Sequence, residues 1–236
     1  MLLLLHFILL WFTYCIILYI IWFVQLHNVK ANLPPNWKIQ IFWTGKGQSK
    51  HGIEVNPGVK RLIDNNDVIL TQIPNEILEG KGKKKMIHLM TEEWLWENML
   101  ASKVLMFGGN SVICTNSILR VDNFYHFDYI GAPWHNFKGI GGEGGITLRT
   151  RDVMLQVIKY AYNRIKEKYK NNKDENIVKN ELKKAHLHWA PDDYFFVKNM
   201  IEMNNKKITN FKLATPNDTM LFAAADKSAF IGVSNA

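Results

Sequence analysis

KVLMFGGNSVICTNS (Lys103–Ser117), FYHFDYIGAPW (Phe124–Trp134) and GGEGGITLR (Gly141–Arg149) form the central stretch of the chain. An apolar run, Val104 to Phe107, stops at Gly108-Gly109-Asn110, and a second run, Ser111 to Cys114, follows at once. Short buried strands bounded by Gly and Asn have this pattern. In an open α/β sheet ligands sit beyond the carboxyl ends of strands, so polar groups at such a break are placed for a site. An ordinary strand–turn–strand fits the pattern equally well.

These blocks also carry a resemblance. FGGNSVIC (Phe107–Cys114), DNFYHFDYIGAPW (Asp122–Trp134) and GGEGGITLR resemble a fungal and protist family of uncharacterised, glycosyltransferase-like proteins. That family typically reads F-Q-T-D-S-x-(I/L)-C, D-D-F-x-x-(Y/F)-D-Y-I-G-A-P-W and G-N-G-G-x-S-L-R, followed by P-E-D-x-F-F. The last block is matched by PDDYFF, Pro191 to Phe196. DYIGAPW is long and specific, and the weaker blocks occur in the expected order. The resemblance spans roughly Leu33 to Ser234. It implies an α/β, nucleotide-sugar-transferase-like (GT-A-like) mixed sheet flanked by helices. It further implies transfer of a sugar from a nucleotide-sugar donor to an acceptor hydroxyl. The alternative is a catalytically inactive relative acting as a membrane-tethered binding or scaffolding protein.

Composition bounds the rest. The 236 residues allow one domain plus an appendage, and 47% hydrophobic with 21% charged content suits a packed core. The net charge of +8 is diffuse and could attract nucleic acid, anionic lipid or nucleotide phosphates. No zinc-finger spacing, RNA-recognition signature or basic heptad pattern occurs, so nucleic acid ranks low. Cys15 lies in the apolar N-terminus and Cys114 in an expected strand, which makes them poor partners.

Leu2 to Val24 is 23 residues without a formal charge. As a helix it would span roughly 30 Å of hydrocarbon, so an uncleaved single-pass anchor is expected, in the endoplasmic reticulum or Golgi. Residues 1–31 then form the anchor and its flank, and 32–236 the transferase-like domain. Lys30 and Lys38 after the run argue for a cytoplasmic domain, whereas a Golgi-type transferase needs the opposite orientation. The resemblance places a first strand–helix unit ahead of LPPNWKIQ (Leu33–Gln40). The apolar run occupies its place, so that unit is expected to be missing.

Lys38 to Thr44 and Val68 to Ile73 read as strands, Val59 to Ile63 as a short helix. GKGQSKHG (Gly45–Gly52) lacks phosphate-loop spacing and reads as a turn; GKGKKK (Gly80–Lys85) reads as a solvated loop. Thr91-Glu92-Glu93 opens a helix running to about Ala101, with Trp94, Leu95 and Met99 packing. Asp152 to Lys170 is an amphipathic helix with Met154, Ile158, Ala161 and Ile165 on one face. Asn171 to Ala185 suggests an exposed helix. His186 and His188 could share a strand face for metal, but no third ligand is evident. Asp192-Asp193 begins a helix after Pro191, and Leu213 to Phe230 mixes strand and loop. Asn217-Asp218-Thr219 is a glycosylation sequon.

The resemblance also implies site roles. A donor diphosphate is usually stabilised by a divalent metal, Mn or Mg, held by carboxylates. The family's metal acid falls on Asn110, which brings no charge, so the metal site is expected to be weakened. Ser111, Asp128, Trp134, Glu143, Gly144, Gly145 and Arg149 remain as donor- or substrate-binding candidates. Asp128 could equally be a turn acid capping backbone amides, and Trp134 a core residue. Glycines at 141–145 would let backbone approach a sugar, or satisfy φ > 0. Arg149 or Arg151 could pair with diphosphate, or bridge a surface carboxylate. Asp192 or Asp193 would be the catalytic base, against a purely structural N-terminal role.

Overall fold

The computed structural model describes residues 2–5, 25–44, 57–77, 88–107, 111–134, 140–169 and 192–223. In chain order these form β1 (Leu2–Leu5), α1 (residues 25–32), β2 (Lys38–Thr44), α2 (Pro57–Asp64) and β3 (Val68–Ile73). They continue with α3 (Glu93–Glu97), β4 (Lys103–Phe107), β5 (Tyr129–Ala132) and β6 (Glu143–Thr150). The last three are α4 (Arg151–Lys168), α5 (Asp192–Asn205) and α6 (Pro216–Phe222).

Two three-stranded sheets result. β2 lies between β1 and β3, all parallel; β6 lies between β4 and β5, antiparallel to both. β1 runs beside β4, so the sheets meet edge to edge and the strands succeed one another as β3-β2-β1-β4-β6-β5. The result is a mixed α/β fold.

The strand sequences suit these places. In β2, Ile39, Ile41 and Phe42 are buried, as a strand covered on both faces requires. Its buried polar residue, Gln40, is fully bonded. The amide donates to Thr71 Oγ1 (2.8 Å) and the Asn98 carbonyl (2.9 Å), and accepts from Leu100 N at 3.3 Å. In β4 the period of two sends Leu105 and Phe107 into one core with Leu26, Val29, Trp37, Ile130 and Leu148. Val104 and Met106 enter the other, with Tyr129, Met154, Ile158, Phe196 and Met200.

The outer edge of β5 is covered. Asp128 N donates to the Lys212 carbonyl (2.7 Å), Ala214 N to Tyr129 O (3.3 Å), and Gly141 N to Ala214 O (3.0 Å). Residues 212–214 therefore run along β5, with Leu213 bridged parallel to Tyr129.

Several expectations are corrected. Leu2–Leu5 forms a strand whose backbone pairs with Lys38–Ile41, where a continuous apolar helix from Leu2 was expected. Residues 6–24 lie outside the described residues. Among the described residues no helix is long and apolar enough to cross a membrane. A strand and the helical residues 25–32 thus precede Leu33–Gln40, at the place from which a strand–helix unit was expected to be missing. Leu26 and Val29 are buried in the core, so the packed body extends upstream of residue 32.

Ser111–Cys114 is not a strand, and α3 ends at Glu97 rather than near Ala101. Asn98 stops it by donating its side-chain amide to the Trp94 carbonyl (2.8 Å). α6 replaces part of the expected strand and loop after Leu213. Thr215 and Asp218 form a reciprocal capping box, and Pro216 opens the first turn. The expected loops at 45–52 and 80–85, the helix at 171–185, His186 and His188 lie outside the described residues.

Candidate functional site

Because β6 runs antiparallel to both neighbours, the carboxyl ends of β4 and β5 meet the start of β6. Phe107 faces Ile146 and Ala132 faces Glu143. Ser111, just beyond β4, donates its hydroxyl to the Gly145 carbonyl at 2.6 Å. Pro133-Trp134 leaves β5 at this same rim, and the Trp134 ring meets Tyr194 of α5 edge-on at 6.4 Å. Glu143 and Gly144 contribute backbone within β6. Asn110 and the Glu143 side chain lie outside the described residues.

The glycines divide by physical role. Gly141 (φ +107°) and Gly142 (φ +105°) occupy backbone conformations that side chains rarely adopt. A Cβ on Gly142 would lie 2.4 Å from Gly131 O, and one on Gly141 2.5 Å from Val197. Their close approach is to the chain itself. Gly145 is different: its φ is ordinary, and a Cβ there would meet nothing within 4 Å. The fold has no steric need for that glycine, which leaves open space beside Ser111.

At the other end of β6 lies a buried charge. Arg149 is 1% exposed and pairs across the sheet with Tyr129 and Val104. Its Nε donates to Thr147 Oγ1 (2.9 Å) and Nη2 to Tyr129 Oη (3.4 Å). The guanidinium lies 4.9–5.9 Å from the rings of Tyr129, Phe196 and Trp96. Nη1 is 2.8 Å from Asp192 Oδ2. At that distance the two atoms form a charge-assisted contact out of water. Asp193, also 1% exposed, accepts from Tyr194 N at 2.8 Å.

Burial works against the Arg149 charge, but the Asp192 and Asp193 carboxylates oppose it, and the group is held above its ordinary pKa. Burial pushes the Tyr129 phenol well up; Arg149 opposes this, and the two carboxylates reinforce it. The cluster therefore presents a charged guanidinium and a neutral phenol.

Asp128 belongs to neither group. Its Oδ1 accepts from Thr150 Oγ1 (3.1 Å) and its Oδ2 from Lys212 N (2.9 Å), so both oxygens tie the chain together. Lys103 donates to Phe127 O and Thr150 Oγ1 beside it. Burial lowers the Lys103 pKa; Asp128 opposes that and Lys212 adds to it. Arg151 bonds the Met99 carbonyl (3.2 Å) and Asp152 (2.9 Å).

The structure thus collects Ser111, Gly145 and Trp134 at the rim, and Arg149, Asp192 and Asp193 in the interior. Tyr129, Thr147 and Trp96 escaped the sequence reading. The available signal was strand alternation, which puts Thr147 and Arg149 on one face with Tyr129 opposite. Among the described residues no three acidic, histidine or cysteine side chains are grouped to hold a metal. Asp192 is engaged by the Arg149 guanidinium, and Asn110, on which the metal expectation rested, lies outside the described residues.

Residues 68–234 match the family described as protein of unknown function (DUF5672), and the chain belongs to that family. No curated protein matches it. Among solved structures, the glycosyltransferase GlyE of Streptococcus pneumoniae TIGR4 is similar at 12% identity and a TM-score of 0.43, covering 99% of this chain and 59% of that one. The apo form of GlyE is similar at 10% identity with the same TM-score and coverage. The chain therefore spans less than two thirds of the length of these structures.

Proposed function

We propose that this member of the DUF5672 family is a glycosyltransferase-like protein binding a nucleotide-sugar donor at the rim of β4, β5 and β6. The observation that carries this reading is convergence. Blocks far apart in sequence meet there, Ser111 on Gly145 and Trp134 on Tyr194. The open side of Gly145 admits a polar donor group next to a hydroxyl, and Trp134 offers a ring for stacking. Asp192 opens α5, whose Tyr194 meets Trp134 at the rim, and is the carboxylate assigned to the acceptor. It takes the proton as the acceptor oxygen bonds to the sugar's anomeric carbon and the nucleoside diphosphate leaves. Arg149 orients it. Asp193 is more buried and holds the first turn of α5.

The second reading is a binding protein without transfer. It is favoured by the Arg149–Asp192 pair, which commits the proposed base to an internal partner. Membrane attachment rests on the uncharged residues 6–24 alone; recovery of the full chain in the soluble fraction after alkaline extraction removes it.

Thermal unfolding of the full chain against UDP and GDP, with and without manganese, tests the donor site, because a ligand of the folded state raises the transition. One nucleotide is expected to raise it, less so in Ser111→Ala. Asp192→Asn is expected to keep that shift and lose sugar transfer. A cooperative transition that no nucleotide moves rejects the donor site, and binding without turnover of nucleotide sugars selects the second reading.

A further inference from the structure

We infer that Asn28 of α1 is a positioning residue for the rim, holding the segment that carries Ser111. The inference rests on the proposed donor site. Asn28 Nδ2 donates to the Ile113 carbonyl at 3.0 Å, and Ile113 N donates to Asn28 Oδ1 at 2.9 Å. A primary amide offers a donor and an acceptor side by side, as a peptide edge does. Asn28 therefore supplies to Ile113 the pairing that a neighbouring strand would give, at a segment that belongs to no strand.

The support is rigid. Leu26 and Val29, on either side of Asn28, are 0% and 1% exposed, and the Asn28 carbonyl is itself capped by Asn32 Nδ2 at 2.7 Å. Among the described residues the segment it holds has few other anchors. Ile113 packs against the core, but Val112 is 65% exposed and Cys114 is exposed. Two residues before Ile113, Ser111 reaches the Gly145 carbonyl, beside the open space. The line of contact is Asn28, Ile113, Ser111, Gly145. A helix ahead of β2 thereby sets the position of a hydroxyl beyond β4.

Hydrogen–deuterium exchange and UDP and GDP titration of the full chain, as wild type, Asn28→Ala and Asn28→Asp, test this. Asn28→Ala is expected to raise exchange at the Ile113 amide about tenfold or more, leaving β4 and α4 unchanged. It should weaken nucleotide binding by about the same factor. Asn28→Asp keeps the acceptor and loses the donor, so it should fall between; it also serves if the alanine variant fails to fold. Unchanged exchange over 111–114 overturns the clamp. Raised exchange with undiminished nucleotide binding overturns the positioning role and leaves a structural one. If wild type binds neither nucleotide while exchange responds, the donor site is rejected, the positioning role falls with it, and the clamp stands.

Discussion

Arg149 shows how much one side chain can commit. Its charge is out of water, with three aromatic rings around it and one carboxylate at 2.8 Å. Removing one partner of a buried pair leaves an uncompensated charge, which costs about 3–5 kcal/mol. Arg149→Met is therefore expected to lower unfolding free energy by about that amount in urea denaturation, with the slope unchanged. Arg149→Met with Asp192→Leu should recover part of the loss. At Gly142 the reason is backbone rather than charge. Gly142→Ala must hold positive φ and displace Gly131 O, so destabilisation of about 1–3 kcal/mol is expected in the same assay. The sequence shows that glycines cluster before Arg149. It does not show the pairing with Asp192, because composition and period carry no information on which distant acid folds against a given base.

Among the elements, α4 and α5 are joined by a polar knot. Glu202 of α5 accepts from Tyr160 Oη (2.9 Å), Lys206 Nζ (2.9 Å) and Arg164, with Tyr160 and Arg164 both on α4. The Lys206 bond, followed by those from Arg164 and Tyr160, outweighs burial and holds the Glu202 carboxyl at about 2, against 4.5 ordinarily. A depressed acid stabilises the fold above its unfolded pKa and loses that contribution as pH falls towards the folded one. Wild type should therefore lose stability between about pH 4.5 and 2 more steeply than Glu202→Gln, followed by urea midpoints across that range. Solvent around Arg164 and Lys206 screens the effect. α4 was legible because Met154, Ile158 and Ala161 recur at helical spacing. α6 was missed although Thr215, Pro216 and Asp218 spell a helix start, because its seven residues carry too little periodicity to stand out.

For the molecule as a whole, β2, β3 and β4 were legible in runs of Ile, Val, Leu and Phe, whereas β5, four residues long, and β6, which opens on Glu143-Gly144-Gly145, were not. Nor was the place of the N-terminal residues. A run of uncharged apolar residues satisfies the length rule for a membrane helix and equally the needs of a strand covered on both faces. Local pattern cannot separate them; Leu2–Leu5 is resolved by its pairing with Lys38–Ile41. Since Leu26 and Val29 fill the core, a chain starting at Leu33 is expected to lose its cooperative thermal transition, monitored by circular dichroism. The segment 212–214 has a consequence of another kind. An exposed strand edge is a template for pairing with other chains, and this segment occupies the outer edge of β5. A chain ending at Asn205 would bare that edge, and light scattering should show it self-associating at concentrations where the intact protein stays dispersed.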